Sequence, residues 1–265
     1  MPERTIPHIE AIEVQAFLDL FRLAPQAMID DDHLAFASFG KGCVVSLPFA
    51  PAIGLNRALG MTGTANLQAA FQWFSGRGGK RHFQISEQTA TRDELRWISN
   101  RHLQKMDGSW TKLSRAAPPT PVNWNGPVEV RQAGRHEAEL FGMLMCQGFV
   151  FPRKLAPFWS AIVGKRGWSC HIAYLDNTPV GSAIMYVADC YAWLGGGTTI
   201  PEFRNRGVQT ALIRDRLNVG AEQGVMEFVV ETATPELGAI RTSYDNLIKT
   251  GFKPSYTRQN YLVAD

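Results

Sequence analysis

Thr199-Ile200-Pro201-Glu202-Phe203-Arg204-Asn205-Arg206-Gly207-Val208-Gln209-Thr210-Ala211-Leu212 joins a β-type run that begins at Cys190 to a helical pattern that lasts until Gly224. A strand-to-helix turn of this kind points unpaired backbone N–H groups and the positive end of a helix dipole at one spot, which suits an anion. Gly207 lets the backbone come close without a Cβ in the way, and Arg204 and Arg206 add charge nearby. The pattern asks for a phosphorylated ligand.

Two common phosphate loops are excluded. No G-x-x-x-x-G-K-[ST] occurs, and Gly195, Gly196 and Gly197 lie inside the strand rather than at the helix start, so neither a nucleotide triphosphatase loop nor a Rossmann fingerprint is present. Arg204-x-x-Gly207-x-Gln209, preceded by Thr199-x-Pro201 and followed by Ala211-Leu212, resembles the acetyl-CoA loop of the GCN5-related N-acetyltransferases (GNAT), whose usual form is [RQ]-x-x-G-x-[GA]. Gln209 departs from that form, because a side chain stands where the family usually has Gly or Ala. Its backbone amide, the group the clamp uses, is unchanged by this.

The 265 residues carry a net charge of +3, with basic and acidic residues spread over both halves. No basic stripe interleaved with aromatics marks a nucleic-acid surface, and no apolar run is long enough to span a membrane. The N-terminus lacks the layout of a signal peptide, and a cytoplasmic protein is expected. Cys43, Cys146, Cys170 and Cys190 are scattered without C-x-x-C spacing, and the six histidines show no H-x-x-x-H. Neither a metal site nor a disulfide framework is expected.

The proline-rich stretch Ala116–Gly126 reads as a linker between residues 1–115 and a second domain, residues 127–265. After it come a short strand (Val128 to Arg131), helices over Arg135 to Gln147 and Leu155 to Val163, and three strands (Trp168 to Leu175, Pro179 to Val187, Cys190 to Thr199) forming an antiparallel meander. A helix to Gln223, a strand Met226 to Glu231, a helix Gly238 to Thr250 and a strand Ser255 to Val263 complete the order. That order matches the resembling family, which implies an α+β fold, a central mostly antiparallel sheet flanked by helices. In the first half a helix His8 to Leu23, a hairpin of Leu34 to Phe39 with Cys43 to Pro48, a helix Asn66 to Phe74, a strand His82 to Ile85, a helix Arg92 to Gln104 and a strand Trp110 to Leu113 echo this order. The first half is therefore expected to be a degenerate acetyltransferase-like domain, the alternative being an unrelated α+β domain. Its Leu59-Gly60-Met61-Thr62-Gly63-Thr64 has the glycines of the loop without the cations.

The resemblance implies acetyl-CoA as cosubstrate and a small-molecule or peptide amine as acceptor. Carried over by position, the backbone of Gly197, Thr198 and Thr199 bonds the pantetheine arm, Asn205, Arg206, Gly207, Val208, Gln209 and Thr210 clamp the phosphates, and Asn246 touches the CoA arm. The Tyr that often serves the family as general acid falls at Leu247 here, so it is missing. Tyr244 and Ser243 share its helix face and are the candidate acids, and Glu231, at the end of Phe228-Val229-Val230-Glu231, is a candidate base acting through water. Trp193, Tyr191, Trp168, Phe149 and Phe151 are candidate walls of an acceptor pocket. Two other readings stay open: a non-catalytic acyl-CoA sensor or scaffold, and a nucleotide-binding regulator that uses the same loop.

Overall fold

The computed structural model describes residues 7–235 and 242–263, and the chain divides into two units, Met1–Lys112 with Ser255–Asp265 and Leu113–Pro254. In the first unit α1 (His8–Arg22) starts directly after Pro7 and buries Ile9, Ile12, Phe17, Leu20 and Phe21 on one stripe. A short α2 (Gln26–Asp30) leads to the hairpin of β1 (Ala35–Phe39) and β2 (Gly42–Ser46), closed at Phe39↔Gly42. β3 (Asn56–Leu59) runs antiparallel to β2 and parallel to β4 (His82–Ile85), and α3 (Thr64–Phe74) makes the crossover between β3 and β4. Leu67, Ala70 and Phe74 of α3 pack with Phe83, Ile85 and Ile98. A capping box of Thr91 and Glu94 starts α4 (Arg92–Asn100), after which His102 takes a left-handed φ of 53° and the chain turns into β5 (Gln104–Ala116).

Two elements of this unit differ from the sequence expectation. β3 was not foreseen, because Asn56 and Arg57 are too polar to read as a buried strand; both are buried and hydrogen-bonded, Asn56 to the Leu47 and Ala50 backbone and Arg57 through Nη1 and Nη2 to Gln84 and Glu13. The helix expected to reach Gln104 stops at Asn100, and the left-handed His102 turns the chain so that Leu103 enters the same core cluster as Ile98 from outside the helix.

In the second unit β6 (Glu129–Gln132) is followed by α5 (Ala138–Phe149), α6 (Ala156–Ser160) and the meander of β7 (Trp168–Leu175), β8 (Thr178–Ala188) and β9 (Tyr191–Thr199). Asp176 and Asn177, with φ of 50° and 61°, form the tight turn between β7 and β8. α7 (Val208–Glu222) crosses to β10 (Glu227–Ala233), which lies parallel to β9, and α8 (Thr242–Lys249) leads into β11 (Lys253–Leu262). The strand order is β5-β10-β9-β8-β7-β6. The expected fold class, a mostly antiparallel sheet with flanking helices, is thus present; the start of the helix expected from Gly238 lies outside the described residues.

The units differ from the sequence division at both ends of the second domain. β11 passes into the first unit after Pro254, where Gln259 to Leu262 pair with β4. The proline-rich stretch is packed rather than loose: Asn218 of α7 accepts from Val122 N–H at 2.7 Å and donates to Val122 O at 3.1 Å, and Trp124 packs with Val208, Ala211 and Leu212. The stretch has no strand ladder of its own, so the side-chain amide of Asn218 satisfies both backbone groups of Val122.

Two buried histidines tie stability to pH. Burial, helped by the Arg57 guanidinium, pushes His82 in the first unit down to about 3. Burial likewise lowers His171 in the second unit, against the pull of Asp215. A histidine whose folded pKa is depressed is protonated first in the unfolded chain, so its contribution is intact above about pH 6.5 and is lost as pH falls below that. Each adds a slope of at most about 1.4 kcal/mol per pH unit. Urea unfolding between pH 7 and pH 5 is expected to show stability falling with pH, with a shallower fall in His82→Gln; a pH-independent midpoint over this range would contradict the assignment.

Candidate active site

The site grows from the point at which two parallel strands part. β9 and β10 are paired from Tyr191↔Glu227 to Leu194↔Val230, after which no ladder pairs them, although β9 runs on to Thr199 and β10 to Ala233. The side of Gly195 to Thr199 facing β10 is thereby left as a strand edge with backbone groups to offer. On its other side β9 is bulged against β8, where Ser182↔Thr198 and Ile184↔Gly195 leave one extra residue on β9. Gly196 takes φ of 52° in this bulge, and a Cβ there would come within 2.7 Å of the Met145 side chain. The three glycines therefore serve the strand, as its bulge and free edge.

Arg216 holds the bulge from beneath. It is 3% exposed, and its Nη1 donates to Ile184 O at 2.9 Å and Gly195 O at 3.2 Å while Nε donates to Leu212 O. Burial lowers it to about 10, still charged at neutral pH. Beside it, Asp215 Oδ2 lies 2.6 Å from Nδ1 of the buried His171. Sequence reasoning missed Arg216, and the signal was available: it stands in the apolar row of Val208 and Leu212, where a cation is out of place unless it has a buried job.

The free edge leads to the N-terminus of α7. Asn205 and Gly207 have φ of 63° and 81°, which curls the loop before the helix. Gly207 is the N-cap and no side chain caps the helix; its first intrahelical bond is Ala211 N–H to Gly207 O, so the N–H groups of Val208, Gln209 and Thr210 are without helix partners. A Cβ on Gly207 would lie 2.7 Å from the Trp124 ring, so glycine is required by the neighbour as well as by φ. Gln209, the departure from the usual loop, swings away from the helix start: its Nε2 donates to Ser243 Oγ at 3.0 Å and its Oε1 accepts from Asn246 Nδ2 at 2.8 Å. Arg204 donates to Gly148 O at 3.2 Å and the Arg206 guanidinium lies 5.5 Å over the Phe203 ring.

The sequence candidates separate into groups. Gly197, Thr198, Thr199 and the loop Asn205–Thr210 form one continuous path, and Ser243 and Asn246 are joined to it through Gln209. Tyr244 is half-buried and packs on the cluster of Leu113, Ile213, Leu247 and Phe252. Phe228 and Val230 belong to that same cluster, so strand alternation turns Glu231 to the opposite face of β10. Leu247 is 4% exposed, a core residue. Of the aromatic candidates, Trp168 and Trp193 are buried, whereas Phe149 and Phe151 stack at 5.1 Å around the exposed Val150, which is 74% exposed with a left-handed φ of 58°. A Cβ on Gly148 would lie 2.2 Å from Thr198 Oγ1, so this turn sits directly on β9.

Residues 138–242 match the model of the acetyltransferase (GNAT) family. The matched segment holds the bulge, the free edge and the loop. Among solved structures, a GCN5-related N-acetyltransferase from Kribbella flavida aligns with a TM-score of 0.64 at 14% identity over 96% of this chain and 95% of its own. A GCN5-related N-acetyltransferase from Sphaerobacter thermophilus aligns with a TM-score of 0.60 at 16% identity over 83% of this chain and 72% of its own. A tandem GNAT protein from the clavulanic acid biosynthesis pathway aligns with a TM-score of 0.58 at 16% identity, over 96% and 92%. At these identities the likeness is one of fold. No curated protein matches the chain. Among the described residues no His, Cys, Asp and Glu cluster could hold a metal ion, and no helix is long and apolar enough to cross a membrane.

Proposed function

We propose that the second unit binds acetyl-CoA along the free edge of β9 and at the N-terminus of α7, and that it passes the acetyl group to an amine of a small molecule or peptide. One observation carries this reading: an uncapped helix N-terminus lies at the end of a strand edge that has lost its partner, in register with the sequence loop. Phosphate oxygens suit the N–H groups of Val208, Gln209 and Thr210, and each such bond contributes roughly 1.5–3 kcal/mol before entropic costs. When bound, acetyl-CoA supplies a thioester carbonyl as the electrophile. The chain's part is to orient that ligand through the peptide groups of Gly197, Thr198 and Thr199, to hold the bulge rigid through Arg216, and to move a proton.

For the proton, Tyr244 is the residue we assign as general acid. Ser243 is engaged by Gln209, and Leu247 is core. Glu231, on the far face of β10, is left as a base acting through water. General acid catalysis contributes roughly 10²–10⁴ in rate, so Tyr244→Phe is expected to lower turnover within that range while acetyl-CoA affinity stays nearly unchanged. Turnover is read as thiol release from acetyl-CoA across an amine library. Near-normal turnover in the variant would assign Tyr244 to the core. The buried Leu247, at the position of the family's usual acid, favours a second reading, a non-catalytic acyl-CoA sensor: acetyl-CoA binding with no amine-dependent thiol release would support it.

A further inference from the structure

The part of β9 that has lost its strand partner is held by one buried cation. Arg216 reaches it from α7, with Nη1 on the carbonyls of Ile184 and Gly195, and a Cβ on Gly197 would stand 3.4 Å from its Nη2. The guanidinium therefore lies against the stretch whose peptide groups are assigned to the pantetheine arm. Its hydrogen-bond partners, Leu212 O among them, are neutral carbonyls. A cation that is 3% exposed needs a compensating charge as well as hydrogen bonds, because burial removes the water that would otherwise solvate it. The carboxylate that acts on it is Asp215, the preceding residue of α7, whose charge offsets part of the burial that lowers Arg216.

Asp215 is in turn held in place. Its side chain is 28% exposed, and its Oδ2 lies 2.6 Å from Nδ1 of His171 on β7, whose side chain is fully buried. A carboxylate only accepts, so the proton of this bond sits on Nδ1. His171 Nε2 is buried without a hydrogen-bond partner among the described residues, and burial disfavours the imidazolium. His171 is thus a neutral donor at neutral pH. A lysine or arginine at position 171 would grip Asp215 equally well but would neutralise it, whereas a neutral imidazole fixes the carboxylate and leaves its charge to the guanidinium one residue on. The bond also ties β7 to α7, the helix that carries both Arg216 and the uncapped N-terminus at Gly207.

We propose that His171 and Asp215 are positioning residues of the ligand edge: the neutral imidazole fixes Asp215, and Asp215 keeps Arg216 charged and seated on the β9 bulge. Both act through Arg216, and their role rests on the reading of that edge as the acetyl-CoA site. Acetyl-CoA titrations by calorimetry on the full chain, at a temperature where each variant is folded, test it. Asp215→Asn keeps the size of the side chain and an acceptor for Nδ1 but removes the charge, and is expected to weaken acetyl-CoA binding by ~3–10-fold. His171→Leu, which removes the donor, is expected to weaken it to a similar degree, and His171→Asn, with an amide N–H near the position of Nδ1, to recover most of that loss. In an Arg216→Leu background, where no cation is left to compensate, Asp215→Asn is expected to change affinity by less than ~2-fold. Lowered thermal stability with unchanged affinity in Asp215→Asn, or a loss of the same size with and without Arg216, would overturn the proposal. A wild-type chain that does not bind acetyl-CoA would overturn the cofactor placement itself, and the role of the pair with it.

Discussion

Glu13→Ala is expected to destabilise the protein by about 3–5 kcal/mol, because it leaves buried cations without their counter-charge. Glu13 is 0% exposed and receives bonds from Arg57 at 2.7 Å, Arg258 at 2.9 Å and Lys112, each of which is 0–1% exposed. All three cations come from strands distant in sequence, so the carboxylate neutralises a junction that the fold cannot open to water. Lys112 and Arg57 would face each other with only Glu10, bound to Arg258, as the remaining carboxylate of the group. Equilibrium urea unfolding measures the loss, and Glu13→Gln is expected to fall between wild type and Ala. A change below about 1 kcal/mol would mean that water reaches this junction, contrary to its burial.

Arg216→Leu is expected to damage stability and ligand binding together. It strands the carbonyls of Ile184 and Gly195 without their donor, at about 1–3 kcal/mol for each buried group left unpaired. It also releases the bulge that sets the direction of the β9 edge. Acetyl-CoA affinity is expected to fall by ~10-fold or more, equivalent to about 1.4 kcal/mol, even at temperatures where the variant stays folded. Arg216→Lys, with one charged donor group in place of a fork, is expected to lie between the two. Thermal unfolding and calorimetry check both effects. A variant of lowered stability but unchanged affinity would make Arg216 a core residue with no bearing on the site.

The second unit was more legible in sequence than the first, for physical reasons. β7, β8 and β9 are largely apolar runs separated by short turns legible at Asp176-Asn177 and Ala188-Asp189, and the loop from Arg204 to Gln209 is read by local chemistry alone. Local signals carried those elements. The parts that were missed depend on partners far away in the chain: Arg57 reads as surface until Glu13 is beside it, and Asn218 makes the proline-rich stretch into packed structure. The bulge was invisible for the same kind of reason. Gly195 to Gly197 read as the inside of a strand, and only the register against β8 and the end of pairing with β10 turn them into a bulged edge without a ladder partner. Gln209 was legible as a departure from the family loop, but its accommodation was not, since Ser243 and Asn246 lie on a helix that follows a strand later.

The placement of acetyl-CoA is tested most directly by amide hydrogen exchange with and without saturating acetyl-CoA. Slowed exchange is expected at Gly196–Thr199 and at Val208–Thr210, where the free strand edge and the uncapped helix start would gain partners. The Gly60–Leu67 segment of the first unit, whose helix N-terminus Glu94 already occupies, is expected to exchange at the same rate in both conditions. Unchanged exchange at Val208–Thr210 with bound acetyl-CoA, or protection confined to Gly60–Leu67, would contradict the account.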